Sequence, residues 1–221
     1  SQAPLSRGAQ SAYLGLMTII ADFRRTATLW MALVLVALGL TTSAARAEAY
    51  SQPMSTDHVT AQLHSARAAV APGETFTIVM RQKLADGWHT YWRNFGDSGV
   101  PTVVTWTSPP GVAIGEMQFP TPKTIPVPPL MTYGYEGEIL YPFTVRVPAN
   151  ARPGTTLAMS AKAETLVCAD VCIPEDQFVS LSVPIARAGR ADPEWGAKVA
   201  AAVAAIPKPV NGVEARITQQ G

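Results

Sequence analysis

The chain has 221 residues, room for one ordinary domain with a leader or linker, or for two small ones. Seventeen lysines and arginines stand against sixteen aspartates and glutamates, and at 15% charged residues the chain shows no electrostatic footprint for nucleic acid or an anionic membrane surface. Nineteen prolines and sixteen glycines among valines, threonines and aromatic residues favour many short strands over a helical bundle.

Residues 1–16 precede the first methionine, Met17, and are set aside from the fold reading. A basic pair (Arg24, Arg25), an apolar run from Ala27 to Leu40 and the small-residue exit Ala45-Arg46-Ala47 then follow in the order of a signal peptide cleaved after Ala47. The run is shorter than the roughly 20 apolar residues that span a bilayer. Residues 1–47 are therefore read as leader and signal peptide, and the mature chain as exported from the reducing cytosol.

In the mature part, "HVTAQLHSA" alternates Val59, Ala61 and Leu63, and "ETFTIVMRQ" alternates Phe76, Ile78 and Met80, with a Pro72-Gly73 turn between. Further strand candidates are 88–92, 102–106, 112–119, 139–147, 155–167 and 178–185. Such spacing predicts an all-β, immunoglobulin-like β-sandwich over residues 48–188, a barrel being the alternative. Four prolines between Pro122 and Pro129 break the rhythm, so Thr121 to Glu138 is expected as a long, proline-rich surface loop. Over 189–221 a short C-terminal helix is expected, with Asp192 as N-cap, Pro193 at its first position and Trp195, Val199, Ala202 and Ile206 on one face. "KPVNGVEARITQQG" then resumes a strand-like rhythm, read as a linker toward a further module.

The two cysteines of the chain, Cys168 and Cys172, lie in "TLVCADVCIPED". A disulfide needs Cα atoms about 4.4–6.8 Å apart, whereas four steps along a straight strand cover ~13 Å, so a bonded pair must face itself across a turn of Ala169, Asp170 and Val171. Pro174 is expected to limit strand pairing beyond that turn. Closing so small a loop stabilises by only ~2 kcal/mol in the chain-entropy model. Three readings stand on these residues: a structural staple, a redox couple and a metal site. For zinc, the three histidines (His58, His64, His89) show no paired spacing with the cysteines; a thiolate site for Cu(I) is chemically permissible. No hydrolase motif competes.

The order "DGWHTYWRN", "GDSGVPT", proline-rich segment, "YGYEGEILYPF" and "LVCADVCIPE" resembles the N-terminal periplasmic domain of DsbD, and especially its ScsB-like relatives, from roughly Val59 to Pro184. The resemblance implies an immunoglobulin-like domain, without cofactor, that takes electrons from a membrane-embedded domain through a thioredoxin-like module of the same full-length protein. It hands them to oxidised, thioredoxin-fold periplasmic proteins, acting as a protein-disulfide reductase by thiol–disulfide exchange. It also implies attachment to the inner membrane in the full-length protein. Cys172 would attack and Cys168 resolve, although the family's founding domain has a longer spacing between its cysteines. Tyr133 or Tyr135 would form an aromatic lid, and His89 and Tyr91 would lie beside the cysteines, with Trp88 and Trp92 turned to the core. Asp170 would oppose a free thiolate. Two rivals remain: an inert disulfide in a structural binding module, and a copper-handling domain.

Overall fold

The computed structural model describes Ala49, Ser51 to Lys208 and Gly212. The expected leader over 1–47 and the expected rhythm beyond Lys208 lie outside the described residues.

Two sheets of antiparallel pairs face each other. The first runs in spatial order β1 (Met54–Ser55), β2 (Val59–Ser65), β4 (Thr75–Leu84), β10 (Glu138–Arg146) and β7 (Ala113–Ile114). The second runs β12 (Cys172–Pro184), β11 (Thr156–Cys168), β5 (His89–Gly96), β9 (Leu130–Glu136) and β8 (Lys123–Val127), with β6 (Val103–Thr107) pairing farther along β11. Strands β3 (Arg67–Ala69) and β13 (Arg190–Ala191) pair separately. This is the immunoglobulin-like sandwich that the turn spacing predicts.

Alternation builds the core. In β2 each odd residue from Val59 to Ser65 is buried, and in β11 Leu157, Met159, Ala161, Ala163, Thr165 and Val167 point inward. Those of β11 meet Phe76, Ile78, Met80, Tyr141 and Phe143 of the facing sheet, and Trp88 and Trp92 pack against the same cluster. Burying side chains of this size contributes about 1.5–3 kcal/mol each.

Three expectations change. The proline-rich segment is exposed but is no irregular loop: β8 and β9 form a hairpin whose turn holds a cis bond between Pro128 and Pro129. Its proline-bearing strand β8 lies at the sheet edge, where a missing N–H need not cost a ladder bond. Pro174 does not end pairing either. β12 is also an edge strand, and its ladder with β11 continues through Leu166↔Pro174 to Thr156↔Pro184. Of the strand expected over 112–119, only Ala113–Ile114 pairs.

Helix α1 (Trp195–Ala204) packs Val199 and Ala202 against Val79 on the outer face of the first sheet. Asp192 lies just ahead of the helix, and its Oδ1 accepts the backbone N–H groups of Glu194 (3.0 Å) and Trp195 (2.7 Å). Trp195 stacks on His64 of β2, ring centroids 3.4 Å apart and ring planes nearly parallel.

Burial lowers the His64 pKa from 6.5 to about 4; Arg81 and Lys198 reinforce the shift, while Glu194 and Asp192 oppose it. As pH falls below 6.5 the unfolded chain takes up this proton before the folded one does. The stability contributed by neutral His64 is therefore complete above about pH 6.5 and drains away toward pH 4. Urea titrations across that range should show unfolding free energy declining with pH, and His64→Phe should flatten the decline; an unchanged slope would remove His64 as its source.

Candidate functional site

The β11–β12 ladder ends in the pair Cys168↔Cys172, with Ala169, Asp170 and Val171 as the turn and the Ala169 N–H donating to Val171 O at 3.0 Å. The Cα atoms are 4.1 Å apart and the sulfurs are bonded. The two ends of the bond meet different surroundings. Cys168 is 2% exposed, whereas Cys172 is open to solvent beside the 61%-exposed Val171. The Cys172 end of the bond is therefore the one that faces solvent.

On its other side Cys168 pairs with His89 of β5. Residues two apart on a strand share a face, so Tyr91 follows His89 onto the cysteine side. The Tyr91 hydroxyl donates to Cys168 Sγ at 2.9 Å and lies 3.8 Å from Cys172 Sγ. Burial raises the phenol's pKa, so it remains a donor at neutral pH. His89 meets the Tyr91 ring edge-on at 5.4 Å, and among the described residues its buried Nε2 has no hydrogen-bond partner. Burial lowers the imidazole's pKa against the opposing pull of Glu136, so this histidine is a neutral neighbour of the sulfurs at pH 7.

Beneath the cysteines the sheet interior turns polar. Gln82 Nε2 donates to Thr165 Oγ1 (2.8 Å) and to Gln177 Oε1 (3.0 Å), and Gln177 Nε2 donates to Glu175 O. The buried Glu175 carboxylate accepts the Thr56 hydroxyl and the His58 backbone N–H, with His58 Nδ1 at 2.6 Å. The His58 ring lies 3.7 Å from Trp88. Thr90 Oγ1 donates to Leu166 O at 2.9 Å, tying β5 to β11 just ahead of Cys168. The base of the cysteine hairpin is thus fixed to β5, to the facing sheet and to the start of β2. Buried polar groups of this kind are costly unless satisfied together.

The other candidates separate. Asp170 is exposed in the turn. Tyr133 is 40% exposed on the hairpin, near Gly96. Tyr135 belongs to the core, where it meets Tyr141 edge-on and donates its hydroxyl to Pro120 O at 2.7 Å. Among the described residues no hydrogen bond or ring contact joins either tyrosine to the cysteines. What lies on Tyr91 is instead Gly99, from the β5–β6 connection: a Cβ there would sit 2.3 Å from ring atoms Cδ1 and Cε1. The sequence signal for it is the "GDSG" turn, which marks a loop without showing what the loop covers. The Glu175 anchor carries no local motif, because its partners are 117 and 119 residues away.

A disulfide closed across one turn, with Cys172 exposed and Cys168 buried under a phenol, has the form of a thiol–disulfide interchange site. A family model of the N-terminal domain of the thiol:disulfide interchange protein DsbD matches residues 59–184, and the chain belongs to that family. The crystal structure of the N-terminal periplasmic domain of ScsB from Proteus mirabilis is similar in fold, with TM-score 0.55 and 22% identity. The match covers 77% of this chain and 64% of that one, under two thirds of its length. A yeast GGA1 GAE domain aligns over 61% of this chain and 99% of its own at 11% identity, but its TM-score of 0.35 is too low to mark a shared fold. No curated protein matches the chain.

Tyr135→Phe should lose about 0.5–1.5 kcal/mol of stability, one buried hydrogen bond, while the alkylation rate of Cys172 in the reduced protein stays at the wild-type value. Accelerated alkylation would return Tyr135 to the role of lid.

Proposed function

We propose that the chain is a periplasmic protein-disulfide reductase domain. It relays reducing equivalents from a membrane-embedded electron-transfer domain, by way of a thioredoxin-like module of the same full-length protein, to oxidised thioredoxin-fold proteins of the periplasm. Family membership supports the chemistry, and the signal-peptide pattern up to Ala47 supports export. The similar ScsB domain is described as periplasmic, which supports the compartment.

The unequal exposure of the two cysteines carries the reading. In the reduced protein Cys172, at the open end of the turn, attacks the partner's disulfide and forms a mixed disulfide. Cys168, held 4.1 Å away Cα to Cα, then attacks Cys172 Sγ and releases the reduced partner. The domain's own disulfide is left behind, and the thioredoxin-like module reduces it again. A structural staple needs neither an exposed sulfur nor a phenol on the buried one.

Trapping tests the assignment. Cys168→Ser should accumulate a mixed disulfide through Cys172 when reduced protein meets an oxidised thioredoxin-fold protein, and Cys172→Ser should accumulate far less. A reduction potential below about −300 mV together with no exchange toward such a partner would make the bond an inert staple and overturn the proposal.

A further inference from the structure

The segment Asp97–Pro101 joins β5 to β6 and lies between the cysteine site and the proline-rich hairpin. Toward the site, Gly99 rests on the Tyr91 ring with φ +114°, and a Cβ would stand 2.3–2.6 Å from three ring carbons. Tyr91 also bridges to Pro101 on the same segment. Both the positive φ and the close approach demand glycine here. Toward the hairpin, the Asp97 N–H donates to Met131 O at 3.0 Å, and Asp97 Oδ2 accepts the Met131 N–H at 2.8 Å. Contact is therefore continuous along the chain segment from the hairpin, through Asp97 and Gly99, to the Tyr91 ring and the buried sulfur.

We infer that Gly99 is a positioning residue for thiol exchange, because it holds the Tyr91 hydroxyl on Cys168 Sγ. The inference rests on the proposed interchange function. When a partner's thiolate attacks Cys172 Sγ, a bond forms between those two sulfurs and the Cys172–Cys168 bond breaks. The electron pair departs on Cys168 Sγ, which is where the phenol already donates. A hydrogen bond to a thiolate is stronger than one to a disulfide sulfur, so the contact stabilises the leaving group more than the starting bond. The partner's second thiolate then attacks the partner's own sulfur in the mixed disulfide, forming the partner's disulfide and releasing Cys172 Sγ as a thiolate. The partner's dithiol has supplied two electrons in all, and the protons it lost, exchanged through solvent, neutralise the two new thiolates. A ring pushed aside by a Cβ at position 99 loses this donation while both cysteines remain in place.

A double-mutant cycle tests this, using oxidised protein and reduced glutathione, with the rate of first attack followed by acid quench and mass spectrometry. Tyr91→Phe and Gly99→Ala should each slow the attack about tenfold, the worth of a hydrogen bond to a charged group at the low end of its range. In the Tyr91→Phe background, Gly99→Ala should add no further slowing, because the group it acts through is gone. Asp97→Ala, which alters an exposed carboxylate and spares the glycine, should slow the reaction several-fold with Tyr91 present and not at all in the Tyr91→Phe background. This second arm keeps the test decisive if Gly99→Ala fails to fold. A wild-type rate for Gly99→Ala, or full additivity with Tyr91→Phe in either arm, overturns the positioning role while leaving the interchange function intact. Wild-type protein that exchanges neither with glutathione nor with a thioredoxin-fold partner overturns the function itself.

Discussion

The site depends on a ladder that continues unbroken into a covalent bond. From Thr156↔Pro184 to Cys168↔Cys172, β11 and β12 pair residue by residue, and the last pair is the disulfide. Bond cleavage removes one link at the end of a long zipper, so the rest of the register still delivers the two thiols to each other. A five-residue ring adds little to stability, about 2 kcal/mol in the chain-entropy model, which leaves the bond free to be spent on exchange. The sandwich supplies the alignment that so small a loop could not enforce alone.

The two faces of this ladder divide the labour. On the inner face, apolar residues give way to Thr165, Glu175 and Gln177 as the cysteines approach, and Gln82 ties them to the facing sheet. On the outer face, His89 and Tyr91 border Cys168. Rigid support thus comes from beneath, and chemical tuning from above. Burial favours the neutral form of His89, so the polar group that meets the sulfurs is the Tyr91 hydroxyl and not a cation.

Much of this was legible in the sequence. Period-two alternation at Val59, Ala61 and Leu63 and at Phe76, Ile78 and Met80 identified strands because one face of each is buried. The turn between the cysteines followed from bond geometry, and the helix from its apolar face, although it starts at Trp195 behind Glu194 and not at Pro193 behind Asp192. Proline rules misjudged the edges: Pro126 and Pro174 signal broken pairing only where both sides of a strand must donate, and edge position is a property of topology that no local window contains. The same limit hid Gly99 and Glu175. Their partners, Tyr91 and the Thr56–His58 segment, are brought to them by sheet closure, and the tyrosine pair on β9 was split by depth, with Tyr135 in the core and Tyr133 on the surface.

The proline hairpin has a further consequence for how long an associated protein could stay. Its tip exposes Val127, Leu130, Met131 and Tyr133, an adhesive set of side chains, yet Pro126 withholds a backbone donor from the edge strand β8, and Pro128 and Pro129 withhold theirs from the turn beside it. A visiting chain can bury apolar surface there without extending the sheet by a hydrogen-bonded strand. Side-chain adhesion without strand addition favours brief encounters over permanent ones, and it guards the edge strand against joining edge to edge with copies of the chain.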